Sequence, residues 1–398
     1  MAAQRSSRGE CPVSVTLSES WQCAAGPVRV REARGAEAGV YDAFVAPHPQ
    51  GGILQSWAWG ELRALQHWAP VRLLARDAAG RVCGAALVLC RELPIGASLL
   101  YLPRGPVLDY RDDRTLDALV SALRRLGERR RAVLCKIDPP VTPPDPRVLK
   151  ALTARGFVIG HRRGRFEGMQ PRYSVVVPLD GGADAVLARC HAKTRYNIRL
   201  AQRRGVQVRR GSREDLAVFH HLLDVTCARN GFAERRLPYF EQVWDALAPG
   251  GNLELYLASH EGEDVAAGIL FRYGDKAVYA YGASADTRRD VMAPYAVQWT
   301  MISRAIACGC TSYDMTGVPR QLSPDQPGYG LYRFKRGFWP DVSVYAGEYD
   351  LPLQPALYRL WQVVEPAYWG WNVWVHRTLK ALAATRPLEG LPPATRAG

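Results

Sequence analysis

The sequence predicts a mixed α/β (α+β) protein built from two copies of one domain in tandem. Three observations carry that prediction: a length beyond one ordinary core, an echo of the same strand-and-helix pattern in both halves, and an apolar crossover strand between them. At 398 residues the chain exceeds what a single hydrophobic core usually organises. Its 47% apolar and 23% charged residues describe a folded globular protein, not a disordered one.

Residues 1–26 lack the unbroken apolar run of a signal peptide, so they are expected to be a frayed end of a cytoplasmic protein. In the first domain, residues 27–168, VRLLARDAAGRVCGAALVLCR (71–91) reads as strand, polar turn, strand. A third strand begins near Tyr101, followed by the helix TLDALVSALRRLGERR and the strand AVLCKID. The Pro-rich PPVTPPDP (139–146) is a loop within this domain. QPRYSVVVPLD (170–180) is the crossover strand that opens the second domain, residues 169–342. There ELYLASHEGEDVAAGILFRY (254–273) repeats strand, turn, strand, and Gly274-Asp275 make a hairpin turn. A strand from Tyr279, the helix YAVQWTMISRAIACG and the strand SYDMTG complete the echo. Antiparallel strands, then a helix, then a strand, is the order of GCN5-related acyltransferase (GNAT) domains. Residues 343–384 are expected to pack back on the first domain or on a membrane surface, because LYRLWQVVEPAYWGWNVWVHR (357–377) holds four tryptophans in fourteen residues. Residues 385–398 form a Pro/Ala/Gly-rich tail.

Charge narrows the partners. The formal net charge is +14, which favours phosphate-rich molecules or an anionic bilayer. Between Ala185 and Arg213 stand nine Lys or Arg and no Asp or Glu. Leu187, His191, Thr194, Ile198 and Ala201 recur there at helical spacing, predicting one helix over 185–204 that docks by an apolar stripe. The nine cysteines show no zinc spacing, so reduced thiols and no metal are expected. No stretch approaches the ~20 apolar residues of a membrane span.

Five patterns in order carry a resemblance. They are QSWAWGELR (55–63); YLPRGPVLD (101–109); KIDPP (136–140) with QPRYSVVVPLD; KTRYNIRLAQRRGV (193–206); and YAYGAS (279–284) with YDMTGV (313–318) and YRFKRGF (332–338). Together, over roughly residues 40–350, they resemble the Fem family of peptidoglycan aminoacyltransferases. The resemblance implies tandem GNAT-like domains without the coiled-coil arm of some members. It also implies transfer of an amino acid from aminoacyl-tRNA to a peptide amine of a cell-wall precursor, UDP-linked or lipid-linked, with aminoacyl-tRNA as co-substrate and no other cofactor.

An amine attacking an ester needs alignment, loss of a proton and stabilisation of an oxyanion. The resemblance assigns the oxyanion to Lys335, with Phe334 shaping the pocket beside it. A precursor diphosphate calls for cations from more than one segment, and the matching positions are Arg63 and Arg235, with Tyr239 four residues on. Ala233 stands where a relative can carry a small hydroxyl residue. Arg104 and Asp109 match substrate contacts, the Asp holding the acceptor ammonium. Tyr279 and Tyr281 alternate on a strand and are expected to share one face. Lys193, Arg195 and Arg199 are expected to lie along the acceptor stem of the tRNA.

Two rival functions follow from the same residues. One is an acyl-CoA-dependent N-acyltransferase, although TRRDVMAPYAVQW lacks the glycines of a pyrophosphate loop. The other is a non-catalytic tRNA- or membrane-binding module. His220-His221-Leu-Leu-Asp224 is one residue short of a condensation motif and is read as part of an amphipathic helix. The amino acid moved, the number added, the form of the acceptor, the general base and the oligomeric state are left open.

Overall fold

The computed structural model describes residues 26–93, 96–160, 167–231, 235–320, 323–326, 328–365 and 367. The expectations for residues 1–25, Ala233 and the chain beyond 367, including Trp369, Trp371 and Trp374, lie outside the described residues.

The first domain runs β1 (Arg29–Glu32), α1 (Ala38–Val45), α2 (Trp57–Ala64), β2 (Ala69–Arg76), β3 (Val82–Glu92), β4 (Ser98–Leu102), β5 (Val107–Leu108), α3 (Asp113–Arg129), β6 (Ala132–Ile137), α4 (Pro146–Ala154) and β7 (Val158–Ile159). The second runs β8 (Tyr173–Pro178), α5 (Gly182–Arg189), α6 (Ala192–Arg203), β9 (Gln207–Gly211), α7 (Leu216–Asn230), α8 (Leu237–Leu247), β10 (Leu253–His260), β11 (Glu263–Tyr273), β12 (Lys276–Ser284), α9 (Ala293–Ala307), β13 (Ser312–Gly317), α10 (Tyr329–Arg336), β14 (Ser343–Val344) and β15 (Tyr349–Pro352).

Local chemistry explains the main elements. In β3 eight consecutive residues are buried, as in a strand covered on both faces. Helix α3 keeps Leu116, Leu119, Val120, Leu123 and Leu126 on its buried side, and Asp112 caps it by accepting from Arg114 N–H. Gly274, at φ 58°, supplies the left-handed turn between β11 and β12. That turn also abuts α1: a side chain at Gly274 would strike the Ala46 carbonyl.

The sheets have matching orders. The first reads β1-β2-β3-β4-β6-β15-β7, with β5 extending the pairing along β3, and the second, reversed, reads β9-β10-β11-β12-β13-β8-β14. All pairs are antiparallel except β4 with β6 and β12 with β13. The fold is two tandem GNAT-like domains, and among the described residues no helix is longer than the 17 of α3.

One feature is non-local. Strand β8, which follows the first domain in sequence, pairs β13 and β14 of the second sheet. Strand β15, at the end of the second domain, inserts between β6 and β7 of the first. β8 holds in the second sheet the place that β15 holds in the first, so the strand that ends each repeat completes the other repeat's sheet. Residues 349–352 are a structural strand of the first sheet, and 343–344 belong to the second. Where the two chains cross, Tyr345 N–H donates to Arg172 O at 2.9 Å and Ala346 N–H to Val141 O at 3.0 Å.

A continuous apolar cluster also joins the domains. Trp59, Leu62 and Trp68 of the first belong with Phe219, Phe240, Phe271 and Leu255 of the second. Asp42 accepts from Trp57 N–H at 2.9 Å and from the Tyr273 hydroxyl of the other domain at 2.5 Å.

Candidate active site

The second domain has a splayed pair of strands at its centre. β12 and β13 pair only over Lys276–Val278 and Ser312–Asp314, then separate. β13 alternates, burying Tyr313 and Met315 while Asp314 and Thr316 face the other way. Thr316 takes a left-handed φ of 63°, costly for a β-branched residue. Asp314 holds that conformation, accepting from Thr316 N–H at 2.7 Å and from the Ser174 hydroxyl.

Lys335 enters this cleft from α10. Phe334 pins the helix, its ring 4.9 Å from Tyr295 and 5.4 Å from Phe338, and this turns the next side chain toward the sheet. Lys335 is 4% exposed, and its amine donates to Gly317 O at 2.9 Å and Thr316 Oγ1 at 3.2 Å. An ammonium has three N–H bonds, so one remains for a ligand. Burial brings the amine down to about 8, with the Asp314 carboxylate opposing.

Tyr279 and Tyr281 do not share a face, contrary to simple alternation. The register of β11 and β12 shifts so that Leu270 faces Tyr279 and Ile269 faces Tyr281, leaving Ala280 as the extra residue of a bulge. Tyr279 therefore packs with the cluster of Val297 and Met301, its hydroxyl over Gly282, where any side chain would collide with it. Tyr281 turns to the opposite cluster, and its hydroxyl lies 2.8 Å from that of Tyr239.

That tyrosine pair is the centre of a cationic group between the domains. Arg235 lies over the Tyr239 ring at 5.4 Å. Arg63, in the last turn of α2, is 5.5 Å from the Trp68 ring and donates to Gln66 Oε1 at 2.5 Å. Burial lowers the Arg63 guanidinium's pKa; Tyr239 and Tyr101 work against that and Arg235 with it, which places these side chains around it. Four residues far apart in sequence, Arg63, Arg235, Tyr239 and Tyr281, are thus assembled. Arg91, which the sequence reading missed, adds a cation 5.4 Å from the same Trp68 ring; Arg91 in LVLCRE shows nothing distinctive locally.

The basic helix is two helices. α5 ends at Arg189, Cys190 is extended, and His191 caps α6 by accepting from Lys193 N–H at 3.2 Å. His191 is therefore exposed, outside the buried stripe of Thr194, Asn197, Ile198 and Ala201. Carboxylates outside the run neutralise much of the charge: Arg189 meets Asp180 at 2.9 Å, Arg204 meets Asp290 at 2.9 Å, Arg209 meets Asp215 at 2.7 Å, Arg210 meets Glu254 at 3.8 Å and Arg213 meets Asp245 at 2.7 Å. Arg195 covers the end of α5, donating to the carbonyls of Ala188 and Cys190. Lys193 and Arg199 remain exposed, without an ion pair among the described residues. The start of α6 abuts the segment after Lys335: His191 N–H donates to Gly337 O at 2.8 Å, and a side chain at Gly337 would strike the Thr194 hydroxyl.

Arg104 and Asp109 are engaged within the fold. Arg104 N–H binds Asp138, its guanidinium donates to Pro171 O at 2.6 Å, and it stacks 3.9 Å over Tyr345. It clasps the crossing strands and so acts as a positioning residue. Asp109 accepts from Arg111 N–H at 2.9 Å in the turn before α3, and no described contact joins it to Lys335 or Arg63. In the first domain the pairing of β4 with β6 ends at Leu102 and Ile137, and the next residue, Asp138, reaches back to the loop after β4. Its buried carboxylate also accepts from the Tyr101 hydroxyl at 2.8 Å, and burial, opposed by Arg104, raises it to about 7. Gln55 supports the same loop, donating to Pro103 O and accepting from Leu87 N–H, both at 2.8 Å. Neither Asp138 nor Gln55 was singled out from sequence, although both lie inside recognised motifs.

Neither domain offers a pyrophosphate nest at its central helix. Asp112 and Asp113 occupy the start of α3, where an anion would be repelled. In the first turn of α9, Pro294 has no N–H, and Tyr295 N–H is used by Met292 O at 2.9 Å.

The model of the FemAB family matches residues 36–264 and 257–366, well over half of the chain. The lipid II:glycine glycyltransferase of Staphylococcus aureus (strain USA300) is 29% identical over 414 residues, covering 85% of this chain and 97% of that protein. Those 414 aligned positions exceed the 398 residues here, so the relative carries insertions that this chain lacks. The crystal structure of FemX superposes with a TM-score of 0.79 at 28% identity, covering 83% of this chain and 99% of that one. A conserved protein of unknown function from Bacteroides thetaiotaomicron, at TM-score 0.54 and 11% identity, covers 81% of this chain and 99% of its own and shares the fold.

Proposed function

The chain belongs to the FemAB family, and on that premise we propose that it moves an amino acid from aminoacyl-tRNA to the peptide amine of a lipid-linked peptidoglycan precursor. The observation that carries the reading is Lys335: a buried amine, with a pKa brought to about 8, held at the mouth of a splayed cleft with one N–H to spare. The relative's action on lipid II supports the acceptor.

In the reaction the acceptor nitrogen attacks the ester carbonyl, a C–N bond forms, the C–O bond to the ribose breaks, and the proton lost by the amine ends on the ribose oxygen. Lys335, protonated below about pH 8, donates its remaining N–H to the oxyanion, a contact that strengthens as charge develops. Thr316 and Gly317 O fix the amine so that little reorganisation is needed. Arg63 and Arg235 bind the diphosphate, and Tyr239 and Tyr281 shape the path from there. Lys193 and Arg199 receive the tRNA backbone beside the Lys335 segment. The occupied starts of α3 and α9 disfavour an acyl-CoA donor.

The test uses purified protein, charged tRNA and lipid-linked precursor in detergent. Label should pass to the precursor, and Lys335→Met should lower transfer about 10²–10³-fold while leaving precursor binding intact. Undiminished transfer by that variant, or no transfer from any aminoacyl-tRNA, refutes the reading. Lys193→Glu with Arg199→Glu should lower transfer and reduce the salt slope by about 2.

A further inference from the structure

The helix over residues 355–365 packs against β4 and β6 of the first sheet. Its inner side is anchored: Tyr358 and Trp361 are buried with Leu93, Leu99 and Leu134, and the Tyr358 hydroxyl donates to Asp350 Oδ2 at 3.1 Å. Its outer side carries Leu360, Val363 and Val364, which are 57%, 77% and 43% exposed. Their i, i+3, i+4 spacing makes one stripe, beside the exposed Arg359. Large apolar side chains held in water by a well-anchored helix mark a surface that meets another apolar phase.

Position, charge and the continuing chain identify that phase. Trp361 and Glu365 line one small cavity with Trp68 and Tyr101, and Trp68 is the ring that Arg63 and Arg91 flank. A single tryptophan therefore separates the helix from the cations assigned to the diphosphate. The protein carries a net +14, complementary to an anionic lipid surface. Beyond 367 the sequence continues with Trp369, Trp371, Trp374, Arg377 and Lys380, residue types that favour the level of lipid headgroups.

We propose that the 355–365 helix docks the protein on an anionic bilayer through Leu360, Val363 and Val364, so that a lipid-linked acceptor reaches Arg63, Arg91 and Arg235 without leaving the membrane. The proposal rests on the diphosphate reading above for its purpose, while its flotation test is independent of that reading.

The full chain is floated with vesicles of phosphatidylcholine, with and without phosphatidylglycerol, in the absence of tRNA and precursor. Binding should require phosphatidylglycerol, and Leu360→Gln with Val363→Gln should weaken it about tenfold or more. Transfer to a lipid-linked acceptor in vesicles should fall in parallel, while transfer to a soluble nucleotide-linked acceptor with the same peptide and diphosphate stays unchanged. Equal flotation by the double variant overturns the proposal. So does equal loss on both acceptors, or a wild-type dimer, without vesicle binding, that the substitutions dissolve. Flotation that begins only when residues 368–398 are removed also overturns it, since the chain itself would then cover the stripe. A protein that floats as described but transfers no amino acid leaves docking in place and refutes the function.

Discussion

Each domain buries one lysine, Lys136 within the paired strands of the first sheet and Lys335 in the cleft of the second, and the two sit in opposite surroundings. Lys136, on β6 of the first domain, lies 2.8 Å from Asp350 and 3.3 Å from Glu348. Burial alone would push its amine down, but those carboxylates hold it well above the ordinary range. Both carboxylates arrive with the exchanged strand, so the ion cluster fastens β15 into the foreign sheet. Lys335 has only the Asp314 charge working against its burial, and its amine falls to about 8. The same fold thus uses one lysine to fasten a strand and leaves the other in a cleft. What separates them is how many carboxylates the neighbouring strand delivers.

The largest effect expected from breaking this contrast is structural. Lys136→Ala leaves Asp350 and Glu348 buried without a counter-charge, and chemical denaturation should register a loss of about 3–5 kcal/mol. Restoring most of that stability with Lys136→Met alone would show that the cluster does not fasten the strand. Next comes Lys335→Met, which removes a pre-positioned donor and should cost about 10²–10³ in kcat, with the denaturation midpoint scarcely changed. Wild-type kcat should also decline as pH rises through about 8, where Lys335 loses its proton. Lys335→Arg should retain partial activity and lose that alkaline limb; a limb that persists would assign it to another group.

A smaller effect belongs to the cations between the domains. Arg63→Ala and Arg235→Ala should each raise the KM for precursor about tenfold or more, as expected for a charged hydrogen bond, with kcat nearly constant. An unchanged KM would remove the diphosphate assignment. A last effect concerns the first domain. Asp138 has its folded pKa raised to about 7 by burial, against an unfolded carboxyl near 3.9. The folded state then holds the proton more tightly, so this group's contribution to stability is full below about pH 4. It is lost as pH rises toward 7, by at most about 1.4 kcal/mol per pH unit. Asp138→Asn should flatten that slope, since the amide oxygen still accepts from Arg104 N–H. A slope unaltered by the substitution would place the titration elsewhere.

Much of the fold was legible because it is periodic. The strands of both halves, the amphipathic α3 and the crossover β8 announce themselves through spacing, and the Phe-Lys pair marks the residue that enters the cleft. Other features needed neighbours that sequence does not display. The break between α5 and α6 depends on Arg195 reaching back to Ala188 and Cys190. The bulge at Ala280 reverses the faces of two tyrosines, an effect one inserted residue always has on a strand. The basic run looked unopposed because its carboxylates, Asp180, Glu254, Asp264 and Asp290 among them, lie outside it or on other elements.

By itself the sequence determined two GNAT-like units, the order of their main strands and helices, the cationic character of α6 and the residue types available for transfer chemistry. These are set by local periodicity, turn chemistry and composition, which act over a few residues. Only the tertiary structure decided the exchange of β8 and β15, the gathering of Arg63, Arg91 and Arg235 around tyrosines and a tryptophan, and the fates of the two lysines. Strands as short as β7 and β14 carry no readable pattern, and the burial and charge that tune an amine depend on groups up to 214 positions away, as Asp350 is from Lys136.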